Sequence, residues 1–226
     1  MFQTGFTSIL QKENCMKTND FSSSSQNSFN IEEKIEQVRL YAQSAEKQSR
    51  FEHSERTAKM CETLALRYGL DGRRAFLAGI GHDICKECPD PLMITLAVGD
   101  GLPVGVLESK KTALLHGRAA AQLLKTGFCI QDDEVIEAVQ NHTFGKKGMS
   151  DFAKLLFIAD KIEPGREHMT PERLKSFEKF SLNELTFLIV QENIDYLQSK
   201  GKKVADVTFE LYEYLKQLIK EESRRG

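Results

Sequence analysis

No apolar run in the chain is long enough to span a bilayer, which excludes a transmembrane helix. Neither sign of charge dominates: 31 basic residues meet 33 acidic ones, for a formal net charge of −2. Without a basic excess, bulk attraction to nucleic acid or an anionic membrane is excluded, and an anionic substrate has to be met by a few placed cations. The N-terminus, MFQTGFTSILQKENC, lacks the basic start and long apolar stretch of a secretory signal. The five cysteines (Cys15, Cys61, Cys85, Cys88 and Cys129) are accordingly expected as reduced thiols in the cytoplasm. Alternating β-branched runs, internal repeats and a Gly-rich phosphate loop are also missing.

What is present is helical. The first 29 residues are rich in Ser, Asn, Gln, Thr and Lys, with four serines in a row from Ser22. Such a segment buries too little apolar surface to offset its ordering entropy, so residues 1–29 are expected to form a disordered arm. Residues 30–226 are expected to form one all-α domain, a helical bundle, because apolar residues recur there at spacings of three and four. The period predicts helices near 31–48, 50–69, 72–83, 113–126, 132–142, 150–162, 171–179, 181–199 and 205–222. Asp71, Ser150 and the Thr170-Pro171 step supply local start signals. The Pro- and Gly-rich stretch 87–112 predicts one short helix and a mobile connection, a candidate lid.

Five of these helices aim an ionisable side chain along an apolar stripe. His53 shares its face with Thr57, Cys61 and Leu64, and His82 with Ala75, Ala78 and Gly79. His116 lies over Ala120 and Leu123, His142 follows Val135 and Val139, and Asp160 follows Phe152 and Leu156. A lone inward histidine is more often a hydrogen-bonded core residue than a ligand. Together with Asp83, however, these make four imidazoles and two carboxylates, a donor set suited to a transition metal. Buried carboxylates need compensation, and no inward Arg or Lys on these helices is evident as its source. Neighbours such as His82 and Asp83 point roughly 100° apart on a helix. They can share one ion only near a helix end, and the pair does stand just before the break at Cys85–Pro91. Cys85 and Cys88 have CxxC spacing, but one pair cannot complete a zinc site, and His168 falls in a polar loop.

The order His53, His82-Asp83, Asp160 resembles the H…HD…D signature of the HD-domain metal phosphohydrolases. Five segments in series, RFEHSERTA, GIGHDICK, LLHGRAAA, NHTFGKKGMS and DFAKLLFIADKIEPGR, resemble the YqeK type, the bacterial symmetrical diadenosine tetraphosphate hydrolases, over roughly residues 32–220. The resemblance implies an all-α HD domain, a cytoplasmic location and a metal centre, commonly iron, of one or two ions, that cleaves the dinucleotide to two ADP. It implies His53, His82, Asp83, His116, His142 and Asp160 as metal ligands. It assigns Lys86 and Arg166 to phosphate and to catalysis beside Asp83, and Thr143 and Gly145 to the substrate loop. Here that loop reads His142-Thr143-Phe144-Gly145 followed by Lys146-Lys147, where the family more usually has a second threonine and Arg-Pro. The expected partner is a nucleotide, with neither nucleic acid nor membrane, and a homodimer is left open. The alternatives are another HD nucleotide phosphohydrolase, such as a nucleotidase or an alarmone hydrolase, or a nucleotide-binding regulatory module without turnover.

Overall fold

A helix leaves its first amide N–H groups without partners, and most long helices of this chain begin where a side chain can accept from them. The structure, a computed structural model, describes residues 30–225; the arm expected over residues 1–29 lies outside them. Helix α1 (Ile31–Ala45) opens on Asn30, whose side chain accepts from the amides of Glu32 and Glu33. Helix α2 (Gln48–Arg67) follows directly, and α3 (Gly72–Gly81) opens on Asp71, which accepts from Arg73 and Arg74. Next come α4 (Asp90–Ala97), α5 (Val106–Lys110) and α6 (His116–Gly127). Asp132 caps α7 (Asp133–Asn141), Ser150 caps α8 (Asp151–Ile162) and Thr170 caps α9 (Pro171–Ser176). Ser181 and Glu184 form a reciprocal capping box at the start of α10 (Leu182–Ser199), and α11 (Asp206–Arg225) ends the described chain. No strand occurs among the described residues.

Packing is organised around α8, which is apolar nearly all round and buries Phe152, Leu155, Leu156, Phe157, Ile158 and Ile162. Helices α2 and α3 cross at their closest where Gly79 meets Ala58: a Cβ on Gly79 would lie 2.5 Å from the Ala58 Cα. That approach is what brings the His53 helix against the His82 helix.

The segment 87–112 differs from its expectation. It holds two helices, α4 and α5, joined through a 3-10 turn at Val98–Asp100. It is also pinned. The buried Arg118 of α6 donates to both carboxylate oxygens of Asp100 at 2.7 and 2.8 Å. It further donates to the Leu102 and Pro103 carbonyls at 2.9 and 3.0 Å and to Glu108 at 3.0 Å. A guanidinium held by five acceptors on one connection ties it down, so Gly and Pro content here marks turns and not a lid.

Glu46, at the bend between α1 and α2, is 8% exposed. One carboxylate oxygen accepts from the Ser54 hydroxyl at 2.9 Å and the other has no partner. Burial pushes this carboxyl up to about 7, against the Ser54 hydrogen bond that lowers it. The folded protein therefore keeps a proton that the unfolded chain releases near its ordinary value of 4.5. Stability contributed by this group is present below that value and is lost as pH rises towards 7. Glu46→Gln is expected to raise Tm at pH 8 and to change it much less at pH 5. Thermal melts at the two pH values check this, and equal shifts would contradict it.

Cys61, Cys85 and Cys88 are free thiols.

Candidate metal centre

Three of the four histidines sit where a helix lets the ring be oriented by backbone. His82 continues the right-handed helical conformation past α3, His116 begins α6 and His142 follows α7. In each, Nδ1 donates to the carbonyl three residues earlier: His82 to Gly79 at 2.7 Å, His116 to Ala113 at 2.7 Å and His142 to Val139 at 2.8 Å. His53, from α2, instead directs Nδ1 at the Glu163 carboxylate, 3.1 Å away. With Nδ1 committed to these acceptors, all four Nε2 atoms are turned to the centre.

They converge. The His53 and His82 Nε2 atoms are 3.3 Å apart, and those of His116 and His142 are 2.9 Å apart. Asp160 brings an oxygen 3.1 Å from His53 Nε2, and Asp83 brings one 3.0 Å from His116 Nε2 and 3.7 Å from His142 Nε2. Two donor triads result, His53–His82–Asp160 and His82–Asp83–His142, each with its donor atoms within 4.8 Å of one another. Lone pair facing lone pair at such distances is repulsive unless a cation lies between. Burial lowers His82 to about 4 and lowers His142 as well, so these rings stay neutral. Burial works against ionising Asp83 and Asp160. Even so, the imidazoles around Asp83, and Lys161 and His53 beside Asp160, hold both carboxyls well below the usual carboxylate range. Neutral imidazoles and ionised carboxylates are the protonation states that a divalent ion requires.

The structure also supplies the compensation missing from the sequence. Arg50, one turn before His53, donates to Asp83 at 2.7 Å. Arg166 donates to the Asp160 carboxylate at 2.6 Å and to its carbonyl at 2.8 Å. Lys161 lies 3.5 Å from Asp160. Lys86 lies 3.6 Å from Asp83 and 2.8 Å from His116 Nε2. Of the residues assigned to substrate, Lys86, Thr143 and Arg166 line the same cleft, of about 1000 Å³. Gly145 is not brought to that wall. It is buried with a positive φ of 71°, and a Cβ there would run into Leu211. His168 is exposed at the cleft.

Glu163 is the residue most easily overlooked. It is buried, and it joins His53 to Arg56, whose Nε donates to it at 2.6 Å. The amide of Gly165 donates to it at 2.6 Å as well. A carboxylate behind a ligating imidazole fixes the ring and raises its basicity. Glu163→Gln is therefore expected to lower metal affinity about 10- to 100-fold, measured by competition with a chelator, and an unchanged affinity would contradict the role. The available sequence signal was its place three residues after Asp160.

A helical bundle carrying four imidazoles and two carboxylates at the floor of a cation-lined cleft is the layout of a metal-dependent phosphohydrolase. The family described as HD domain matches residues 50–165, and the chain belongs to it. A Staphylococcus aureus protein named bis(5'-nucleosyl)-tetraphosphatase, symmetrical, is 31% identical over 80% of this chain and 93% of its own length. A Mycoplasma genitalium protein named as a probable nicotinate-nucleotide adenylyltransferase/Ap4A hydrolase is 33% identical over 52% of this chain, which spans 33% of that longer relative. A crystal structure from Clostridium acetobutylicum, described as a "predicted HD superfamily hydrolase involved in NAD metabolism", has 30% identity and a TM-score of 0.74, covering 80% of this chain and 96% of that one. No described helix is long and apolar enough to cross a membrane.

Proposed function

We propose that the protein hydrolyses diadenosine tetraphosphate symmetrically, giving two ADP. The observation that carries this reading is the union, in one cleft, of His53, Asp83, His116, His142 and Asp160, with His82 buried behind them, and Arg50, Arg56, Lys86, Lys161 and Arg166. The same name borne by the S. aureus relative over most of both chains supports it. His53, His82, Asp83, His116, His142 and Asp160 would hold the metal, and iron, as one or two ions, and the cytoplasm as compartment follow from the family resemblance. When bound, the metal supplies positive charge to phosphate oxygens and makes water in the site more acidic.

The chain's own residues do the rest. Lys86, beside His116, presents an ammonium to a phosphate oxygen. Arg166 anchors Nε and one terminal nitrogen on Asp160, and its other terminal nitrogen makes no hydrogen bond among the described residues and is free for phosphate. The Thr143 hydroxyl, 3.4 Å from the Nε2 atoms of His116 and His142, can donate to a phosphoryl oxygen. Asp83, held ionised, accepts the proton of the attacking water, and Arg50 stabilises its charge before the transfer. Gripping an inner phosphate in this way makes ADP the leaving group.

The deciding experiment is early-time chromatography of products from diadenosine tetraphosphate, using untagged protein whose metal is quantified by elemental analysis. ADP alone is expected. Equal ATP and AMP would refute symmetrical attack, and no product from any dinucleoside polyphosphate would refute the substrate class.

A further inference from the structure

The cleft is larger than the phosphate chemistry needs. About 1000 Å³ lies at the top of the range of small-molecule sites, roughly 300–1000 Å³, and the donor set and cations occupy one side of it. A further part of the lining comes from a single helix. From α10, Ile189, Glu192, Asn193 and Tyr196 line the cleft, and their spacing of three, four and seven puts them on one helical stripe. A second stripe of α10, with Val190 and Ile194, is buried in the core, which fixes the helix and aims this wall.

The chemistry of this stripe is specific. Ile189 is 2% exposed and gives an apolar floor. Tyr196 is 55% exposed, a large ring left open at the cleft where an aromatic would ordinarily be covered. Glu192 is already committed, accepting from Arg173 at 2.6 Å. The Asn193 amide and the Tyr196 hydroxyl make no hydrogen bond to any described residue. The ammonium groups of the exposed Lys200 and Lys202 stand over the Tyr196 ring, 5.9 and 6.0 Å from its centroid, long contacts that a stacked base would displace. An apolar floor, an exposed aromatic ring and an unspent amide are the elements that recognise a planar heterocycle: stacking holds the ring and the amide reads its polar edge.

We propose that the Ile189–Asn193–Tyr196 face of α10 is the nucleoside subsite, with the base stacked on Tyr196 and its edge hydrogen-bonded by Asn193. This rests on the reading of the cleft as a nucleotide site, and it names the residues that distinguish a nucleotide from a bare phosphate chain. The stack makes affinity depend on the base while the cations of the cleft make it depend on phosphate, so the two contributions separate by substitution.

The test uses calorimetric titration of the metal-loaded full chain with ADP and, separately, with pyrophosphate. Tyr196→Ala is expected to lower ADP affinity about 5- to 150-fold, the range spanned by one base–aromatic stack, with pyrophosphate affinity unchanged. Tyr196→Phe keeps the ring and is expected to retain ADP binding, and Asn193→Ala is expected to narrow the preference for adenine over uracil diphosphates. If Tyr196→Ala weakens ADP and pyrophosphate alike, or neither, the subsite is overturned. Parent protein that binds ADP with this pattern but leaves diadenosine tetraphosphate intact would overturn the hydrolase reading and keep the subsite.

Discussion

His82→Ala is expected to yield protein without stoichiometric metal and to lower turnover by about 1000-fold or more, the scale of several kcal/mol of lost charge stabilisation. His82 is singled out because it belongs to both donor triads, so its loss dismantles the two together. Helical content is expected to survive, since the residue lies beyond the end of α3 and alanine favours helix. Truncating this fully buried ring also leaves a cavity and the Gly79 carbonyl without its donor, so a lower Tm is expected beside the retained helical content. Elemental analysis, circular dichroism and initial rates on one preparation test these statements. Full metal content with normal turnover would remove this cluster from the chemistry.

Gly79→Ala is expected to destabilise the fold by about 3 kcal/mol, a fall of roughly 6–12 °C in Tm for a chain of this size. Two effects oppose each other. Alanine is favoured over glycine inside a helix by about 1 kcal/mol. The added Cβ, however, would meet the Ala58 Cα at 2.5 Å and its amide nitrogen at 2.9 Å, and backbone cannot swing aside as a side-chain tip can. The clash wins, and α2 and α3 must separate. Because the Gly79 carbonyl orients His82 and α2 carries His53, the same change should also weaken metal binding. Scanning calorimetry reads the first effect, and a Tm at or above that of the parent would show that the helices part without cost.

Much of the bundle was legible because its signals are local. Asp71, Ser150 and Thr170 each accept from amides two or three residues on, so chain order alone reveals them. The inward direction of His53, His82, His116, His142 and Asp160 follows from helical period in the same way. Their meeting within a few ångströms does not, since distances between helices are set by contacts such as Gly79 on Ala58. Arg50, Arg56 and Lys161 were missed for that reason. Arg50 lies only a turn from His53, yet its partner Asp83 is 33 residues away. Glu163 reaches back 110 residues to His53. The stretch 87–112 misled in the opposite sense: its Gly and Pro residues are truthful about turns, while the group that pins them belongs to a later helix.

The Arg118 clamp bears on how this segment can change over evolutionary time. Two of its five acceptors are the carbonyls of Leu102 and Pro103, groups that any amino acid carries. The identity of the residues at those positions is therefore free to drift, whereas the count of residues between Asp100 and Glu108 is not. Among relatives, this connection should vary in composition and hold its length, with substitutions concentrated at open positions such as Leu102, Val104 and Val106 and insertions displaced to neighbouring stretches.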